Sequence, residues 1–239
     1  PSLGAVGKLK IMSRCLQSDG AELEVDGGTL SSVRPVAMQP GTRVTLSDLF
    51  YATPARLKFL RSDRAESKAI ADMMRRLAIA EPSITFCLRD MATERVVLQV
   101  QAEQGNMFDA LRSRLGQVMG SAFVENSIAV DAEREEIRLT GFAGLPTYSR
   151  GAAVSQFLFV NGRPVRDKLL LGGLRGAYSD FLSRDRHPAV ALFVECEPNR
   201  VDVNVHPAKA EVRFREPALV RGLLVSGVSH AFAEAVPLS

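Results

Sequence analysis

The chain has 239 residues, of which 46% are apolar and 24% charged, a composition typical of a globular protein and not of a disordered one. A net charge of +3 permits an acidic partner without requiring one, and the lack of tryptophan disfavours a binder that relies on base stacking. Three widely spaced cysteines argue against a disulfide framework or a zinc knuckle and favour a reducing cytosol. No apolar run approaches the roughly 20 residues that span a bilayer, so we expect no membrane association. Because residue 1 is proline, we expect the N-terminus to be a boundary inside a longer polypeptide.

The first hundred residues alternate between short strands and one long helix. Asp63 with Glu66 resembles a capping box, which predicts a helix start at Asp63. This helix should end at Pro82 and bury one apolar face made of Ile70, Met73, Met74 and Leu77. Strands are predicted at 7–16, 21–26, 42–47, 83–89 and 95–100.

A polar stretch from Gln101 to Asn106 separates two regions, so we predict domains at 1–104 and 105–239. Beyond it, the mixture of strands and helices lacks regular βαβ alternation, which favours an α+β fold over a doubly wound sheet. The predicted strands are 127–131, 136–143, 156–160, 189–195, 201–205 and 210–214. The predicted helices are one capped by Asn106 and ended by Gly120, one at 167–182, and one that begins near Pro217.

Few residues indicate chemistry by themselves. Lys209 lies in a loop after the predicted strand 201–205, where a long cationic side chain can reach a phosphate, although an arbitrary loop lysine is usually only solvated. No motif places a serine or cysteine nucleophile that His206 could activate, so a structural role for this histidine is favoured over a catalytic one. Residues 43–76 carry eight basic and four acidic side chains, and residues 150–186 carry seven and three, which favours a polyanion partner or a solvated face.

Three long sequence blocks resemble those of one protein family. The segment 41–60, GTRVTLSDLFYATPARLKFL, resembles the GT-x-V-x-V-x-DLFYNTPAR-x-KFL block of MutL-family DNA mismatch repair proteins. The segments 157–168, FLFVNGRPVRDK, and 201–214, VDVNVHPAKAEVRF, resemble two further blocks of that family. Ala52 departs from the pattern, because the family usually has asparagine there, and this puts one local hydrogen bond in doubt.

The resemblance implies a GHKL-type ATPase, related in fold to DNA gyrase B and the sensor histidine kinases. Residues 1–104 would be the C-terminal part of its ATP-binding α/β sandwich, and residues 105–239 a transducer-like, ribosomal-protein-like α+β domain. In the family, the lysine at the position of Lys209 reaches the γ-phosphate of ATP, and the threonine at the position of Thr42 contributes to the adenine end of the site.

Other parts of the family's nucleotide site have no counterpart in this sequence. The general-base glutamate, the asparagine that holds Mg²⁺ and the adenine-reading aspartate belong to motifs that precede the segment 1–6. ATP and Mg²⁺ are therefore cofactors expected of the complete protein. We expect this chain alone to bind neither tightly and to lack ATPase activity.

The resemblance also implies partners. In the family, ATP drives the N-terminal regions to form a homodimeric clamp that holds DNA without sequence choice and links the mismatch-recognition protein MutS to a downstream helicase or nuclease. For this chain we expect a monomer that binds DNA weakly. The candidate phosphate contacts lie in two basic turns and are Arg56, Lys58, Arg61, Arg163, Arg166 and Lys168.

Three alternatives remain open at this point. Another GHKL protein, such as a type II topoisomerase ATPase subunit, would share the architecture but not the sequences of these blocks. A stand-alone nucleic-acid-binding α+β module would explain the basic charge and residues 105–239, but it leaves the segment 41–60 without a role. A small hydrolase that uses His206 lacks a nucleophile.

Overall fold

The computed structural model describes residues 2–151, 153–205 and 210–235. The chain packs as two compact units, unit 1 with residues 1–68 and unit 2 with residues 69–239. This division lies earlier than the predicted domain boundary after residue 104, because the segment 69–104 packs within unit 2. Packing units need not coincide with the domains predicted from sequence, so the domain boundary after residue 104 stays a prediction.

Unit 1 is built on one antiparallel sheet. Its elements are α1 (Ser2–Val6), β1 (Lys8–Arg14), β2 (Gly20–Asp26), β3 (Thr29–Leu30), β4 (Arg34–Val36), β5 (Gly41–Ser47), α2 (Pro54–Leu57) and the first part of α3 (Asp63–Ala80). The strand order is β3-β2-β1-β5, and β4 pairs with the other end of β2. The three predicted strands in this region are confirmed.

The sheet of unit 1 leaves large apolar side chains exposed. Val44 on β5 is 59% exposed, and Phe59, after α2, is 83% exposed. Such a surface is typical of an element that packs against a further segment or partner.

Helix α3 begins with a different cap from the predicted one. Ser62 precedes the helix, and its carbonyl and hydroxyl oxygens accept from the backbone N–H of Ala65 at 2.8 and 3.4 Å. Glu66 reaches back instead to Arg61, whose backbone N–H donates to it at 3.0 Å. The prediction of Asp63 as the cap is wrong by one residue, because the Ser62 hydroxyl accepts from the N–H of Ala65 in the first turn.

The predicted buried face of α3 is also wrong. Ile70, Met73 and Leu77 are exposed, whereas Ala71, Arg76, Ala78 and Ile79 are buried. Ile79 packs into a core cluster of unit 2, and the guanidinium of Arg76 lies 5.1 Å from the Phe157 ring centroid. Burial here depends on which side of the helix meets the rest of unit 2, and helical periodicity alone does not determine that.

Unit 2 contains more strands than unit 1. The strands of unit 2 are β6 (Phe86–Asp90), β7 (Arg95–Val100), β8 (Ser127–Arg134), β9 (Ile137–Gly144), β10 (Ser149–Arg150), β11 (Gln156–Val160), β12 (Arg163–Val165), β13 (His187–Pro188), β14 (Val190–Glu195), β15 (Val201–Asp202) and β16 (Arg213–Phe214). Five of them form a mixed sheet with the order β12-β11-β14-β9-β8, in which β11 and β14 run parallel and the other pairs are antiparallel. The helices of unit 2 after α3 are α4 (Met107–Met119), α5 (Ser121–Glu125), α6 (Lys168–Ala177) and α7 (Pro217–Ala235).

Helices cover both faces of this sheet. Along β11, Leu158 and Val160 face a cluster that contains α6 and α7, while Phe157 and Phe159 face one that contains α4, α5 and the end of α3. This alternation follows from the two-residue period of a strand and gives the sheet two apolar faces. The α+β fold class is therefore confirmed.

Three predicted elements in this part are shorter than expected. Helix α6 ends at Ala177 and not at residue 182, and Leu170, Leu174 and Tyr178 are buried. The predicted strands 201–205 and 210–214 reduce to β15 and β16, which pair with each other. The carboxylate of Asp202 accepts from the N–H of Asn204 at 2.9 Å, and this local turn ends the strand.

A buried arginine joins three segments of unit 2. Arg114 on α4 is fully buried, and its guanidinium donates to the carbonyls of Ala78, Glu81, Pro82, Ile84 and Gln101. The first two belong to the end of α3 and the residue after it, where helix carbonyls lack partners inside the helix. The same side chain thus caps α3 and fixes both ends of the β6–β7 hairpin.

We predict that Arg114→Met destabilises unit 2 by about 3 kcal/mol or more, because several buried carbonyls lose their donor. Urea unfolding followed by circular dichroism measures the change. Arg112→Met, which replaces an exposed arginine on the same helix, is the control and should leave the midpoint within error of the original chain. Arg114→Lys should lie between the two, since it keeps the charge but has fewer donors. Equal midpoints for Arg114→Met and Arg112→Met would contradict the prediction.

Candidate functional site

Thr42 lies on β5 of unit 1, opposite Ser13 of β1. Its hydroxyl is 2.9 Å from the Ser13 hydroxyl, and both side chains are exposed. Gly41, with φ of +137°, precedes it, and no atom of the described residues lies within 4 Å of the place where a side chain would begin. The pair of hydroxyls and the open backbone can offer hydrogen bonds to the polar edge of a flat ring. This geometry fits the role predicted for Thr42, which stays a prediction, and Ser13 was missed by the sequence reasoning.

The turn after β5 is conformationally unusual. Asp48 and Phe50 have φ of +49° and +68°, a region that non-glycine residues seldom adopt. Lys8 holds this turn through an ion pair with Asp48 at 3.0 Å, and that hydrogen bond raises the pKa of Lys8. The Tyr51 hydroxyl donates to Asp26 on β2. Strained turns cluster at functional positions, and this one lies within the segment 41–60.

The candidate cations of unit 1 are all exposed but differ in whether a carboxylate pairs with them. Arg56 in α2 and Lys58 just after it are exposed. Arg61 is also exposed, but its Nε donates to Glu66 at 3.2 Å. The backbone and side-chain hydrogen bonds from Arg61 lower the pKa of Glu66, so this carboxylate stays charged beside it. Arg61 is therefore paired with a carboxylate, whereas Arg56 and Lys58 form no ion pair with the described residues.

The candidate cations of unit 2 lie together between the hairpin turn and α6. Asn161 and Gly162 both have positive φ and connect β11 to β12, which places Arg163 at the start of β12. Arg166 and Lys168 are exposed on either side of Asp167. Asp167 is buried because its carboxylate caps α6, accepting from the N–H groups of Leu169 and Leu170 at 2.9 and 3.1 Å. The cap points the acidic side chain inwards and leaves the two basic ones outside.

One carboxylate next to these cations was missed by sequence reasoning. Asp72 on α3 accepts from Arg166 at 2.6 Å and from Arg76 at 3.0 Å. The Arg166 partner is 94 residues away in sequence, so no local pattern signals it. Arg166 is consequently partly neutralised, while Lys168 lies 4.0 Å from Glu211 and is 89% exposed.

Two sequence candidates, His206 and Lys209, lie outside the described residues. The neighbouring Ala210 is described, and its carbonyl accepts from the Arg166 N–H at 2.7 Å. Within the described ranges, no group of three or more histidine, cysteine, aspartate or glutamate side chains is arranged to hold a metal ion. No helix in the described part of the chain is both long and apolar enough to cross a membrane.

Comparison with known proteins gives a consistent result. A family model described as the DNA mismatch repair protein, C-terminal domain, matches residues 115–233. The MutL DNA mismatch repair protein of Phenylobacterium zucineum is 54% identical over 98% of this chain. The chain spans only 38% of the length of that relative.

Solved structures agree with the sequence comparison. The N-terminal domain of a DNA repair protein superposes with a TM-score of 0.80 at 23% identity, over 98% of this chain and 74% of that one. The MutL ATPase domain of Aquifex aeolicus, solved in complex with ADP, gives a TM-score of 0.64 at 27% identity, over 93% and 74% of the two chains. These likenesses show the fold of a GHKL-type ATPase region. The chain belongs to the MutL family of DNA mismatch repair proteins and corresponds to part of the length of its members.

Proposed function

We propose that this chain is part of a mismatch repair protein in which ATP binding and hydrolysis close an N-terminal clamp around DNA. The observation that carries the proposal is the 54% identity to a MutL protein, which extends over 98% of the chain. In the complete protein, the clamp would form by homodimerisation and would link MutS to a helicase or nuclease in the bacterial cytoplasm. The isolated chain would be a monomer.

The nucleotide part of the proposal rests on few residues of this chain. Thr42, next to Ser13, fits a contact with the polar edge of adenine. Lys209 is proposed to meet the γ-phosphate, where a cation would stabilise the charge of the transferring group. When bound, ATP with Mg²⁺ would supply the hydrolysable phosphate; the present chain would contribute only the adenine-edge and γ-phosphate contacts.

The chain alone should release no phosphate from ATP and Mg²⁺, because the general base is missing from its sequence. A phosphate-release assay would compare it with Lys209→Ala, and both should match the buffer blank. Turnover by the chain above that of Lys209→Ala would contradict the expectation. In the complete protein, the same substitution should lower kcat at least about tenfold.

The DNA part of the proposal is supported by charge. The exposed cations of both units, such as Lys58 and Lys168, suit phosphate contacts that do not read sequence. Binding through such contacts releases counterions, so affinity should fall steeply with salt.

Arg61→Glu and Lys168→Glu should each weaken binding to a duplex of arbitrary sequence. The slope of log affinity against log salt should decrease by about one for each phosphate that the chain no longer neutralises. Fluorescence anisotropy at several salt concentrations measures both quantities. Arg95→Glu, an equal charge reversal on β7 outside both basic segments, is the control. An unchanged slope would remove the substituted residue from the DNA surface.

Asp72→Asn should have the opposite effect and tighten DNA binding roughly twofold to fivefold at low salt, because Arg166 loses its neutralising partner. The amide keeps the size of the side chain. Asp131→Asn is the matched control, since Asp131 pairs with Arg138, which is not a candidate DNA contact. If the two substitutions changed the affinity equally, Arg166 would not be a specific contact.

A further inference from the structure

A cleft in unit 2 has no role in the proposed ATP or DNA chemistry. It lies between the end of α3, the start of α4 and the strands β9 and β14, and its volume is about 390 Å³. That size falls within the range of about 300–1,000 Å³ that is usual for ligand pockets. The cleft is open on one side, so it can accept a side chain presented by another molecule.

The walls of the cleft are apolar and rigid. Phe193 stacks on Phe159 with ring centroids 4.4 Å apart, and Phe108 meets the edge of Phe142 at 6.0 Å. Leu111 of α4 is buried beside them. These aromatic contacts fix the shape of the wall, so a large apolar side chain can bind without reorganising it.

The polar part of the cleft is acidic. Glu81, Glu103 and Glu195 line it, and among the described residues no lysine, arginine or histidine does. Within the described part of the chain, Glu81 and Glu195 form no ion pair, and Glu103 accepts only from the neutral amide of Gln117.

Two cations near the cleft are already engaged elsewhere. Arg138, opposite Glu195 in the sheet, gives both its hydrogen bonds to Asp131, at 2.9 and 3.1 Å. The guanidinium of Arg114 is used by backbone carbonyls. The carboxylates of the cleft can thus attract a cation from another molecule.

We propose that this cleft is a docking site for a peptide segment of a protein partner that carries a large apolar side chain flanked by lysine or arginine. The aromatic wall would take the apolar side chain, and the three carboxylates would pair with the flanking cations. Opposite charges steer association and set specificity. The same carboxylates repel phosphates, so the cleft is separate from the proposed DNA surface, and the inference does not depend on it.

Two capped tetrapeptides, of sequence RFLK and EFLE, test the charge requirement. Titration of the ¹⁵N-labelled chain should show shifts at Phe108, Thr140 and Phe193 with RFLK. EFLE should bind at least about tenfold more weakly, since like charges replace opposite ones. Equal affinities for the two peptides, or shifts confined to other parts of unit 2, would overturn the proposal.

Substitutions locate the site. Glu81→Gln with Glu195→Gln should weaken RFLK binding at least about fivefold, because the cleft loses two of its three negative charges. Glu125→Gln with Glu133→Gln, at two exposed carboxylates outside the cleft, should leave it unchanged. Ser83→Trp would fill the mouth of the cleft without changing its charge and should also abolish the shifts. RFLK binding that persists in Ser83→Trp would indicate that the peptide is attracted to the charged surface in general and not to the cleft, and it would overturn the proposal.

Two other occupants would give distinct results. Shifts at the cleft that grow with protein concentration in the absence of peptide would assign it to a second copy of the chain. The same shifts with a DNA duplex would assign it to nucleic acid. Either result would overturn the proposal.

Discussion

Unit 2 depends on the buried guanidinium of Arg114, which binds five backbone carbonyls. Burying a cation costs several kcal/mol unless its donors are used. Burial lowers the pKa of Arg114, yet an arginine stays protonated in proteins, so the carbonyl dipoles must supply the compensation. Of its three nitrogens, only Nε lacks a partner among the described residues. The arrangement is stable because the free carbonyls at the end of α3 need donors as much as the guanidinium needs acceptors.

The same contacts shape the surface above them. Glu81 and Pro82 give their carbonyls to Arg114 and also line the acidic cleft. The hydrogen bonds from Arg114 therefore fix the backbone of the cleft wall at residues 81 and 82, and the Glu81 side chain is exposed to solvent. The buried hydrogen bonds of Arg114 and the surface cleft thus share one short loop. A change in those hydrogen bonds would therefore alter the shape of the cleft.

Two local signals predicted local structure correctly. Asn106 caps α4 through its side chain, and Gly120, with φ of +96°, ends it, both as the sequence indicates. The Asn161-Gly162 turn has the two positive φ values that this dipeptide favours. In each case the residues that determine the conformation are neighbours in the chain.

Tertiary contacts account for two features that the sequence did not predict. The buried side of α3 is decided by its packing in unit 2, so the apolar set Ile70, Met73 and Leu77 was misleading. The neutralisation of Arg166 by Asp72 joins residues 94 positions apart. The family was recognisable because its blocks are long and ordered, but the blocks do not reveal which cations are free. That depends on carboxylates outside the blocks.

The Asn161-Gly162 turn lies between two surfaces of opposite charge. Gly162 borders the acidic cleft, and Arg163, Arg166 and Lys168 follow directly. Asn161 is tied to the end of β14, accepting from the Cys196 N–H at 2.9 Å and donating its own N–H to Val194 at 2.9 Å. These bonds hold the turn, so the same two contacts fix the backbone that borders the acidic cleft and the start of the basic segment after it. Because the interaction between exposed charges decays over about 8 Å at physiological ionic strength, a bound partner responds mainly to the charges nearest to it.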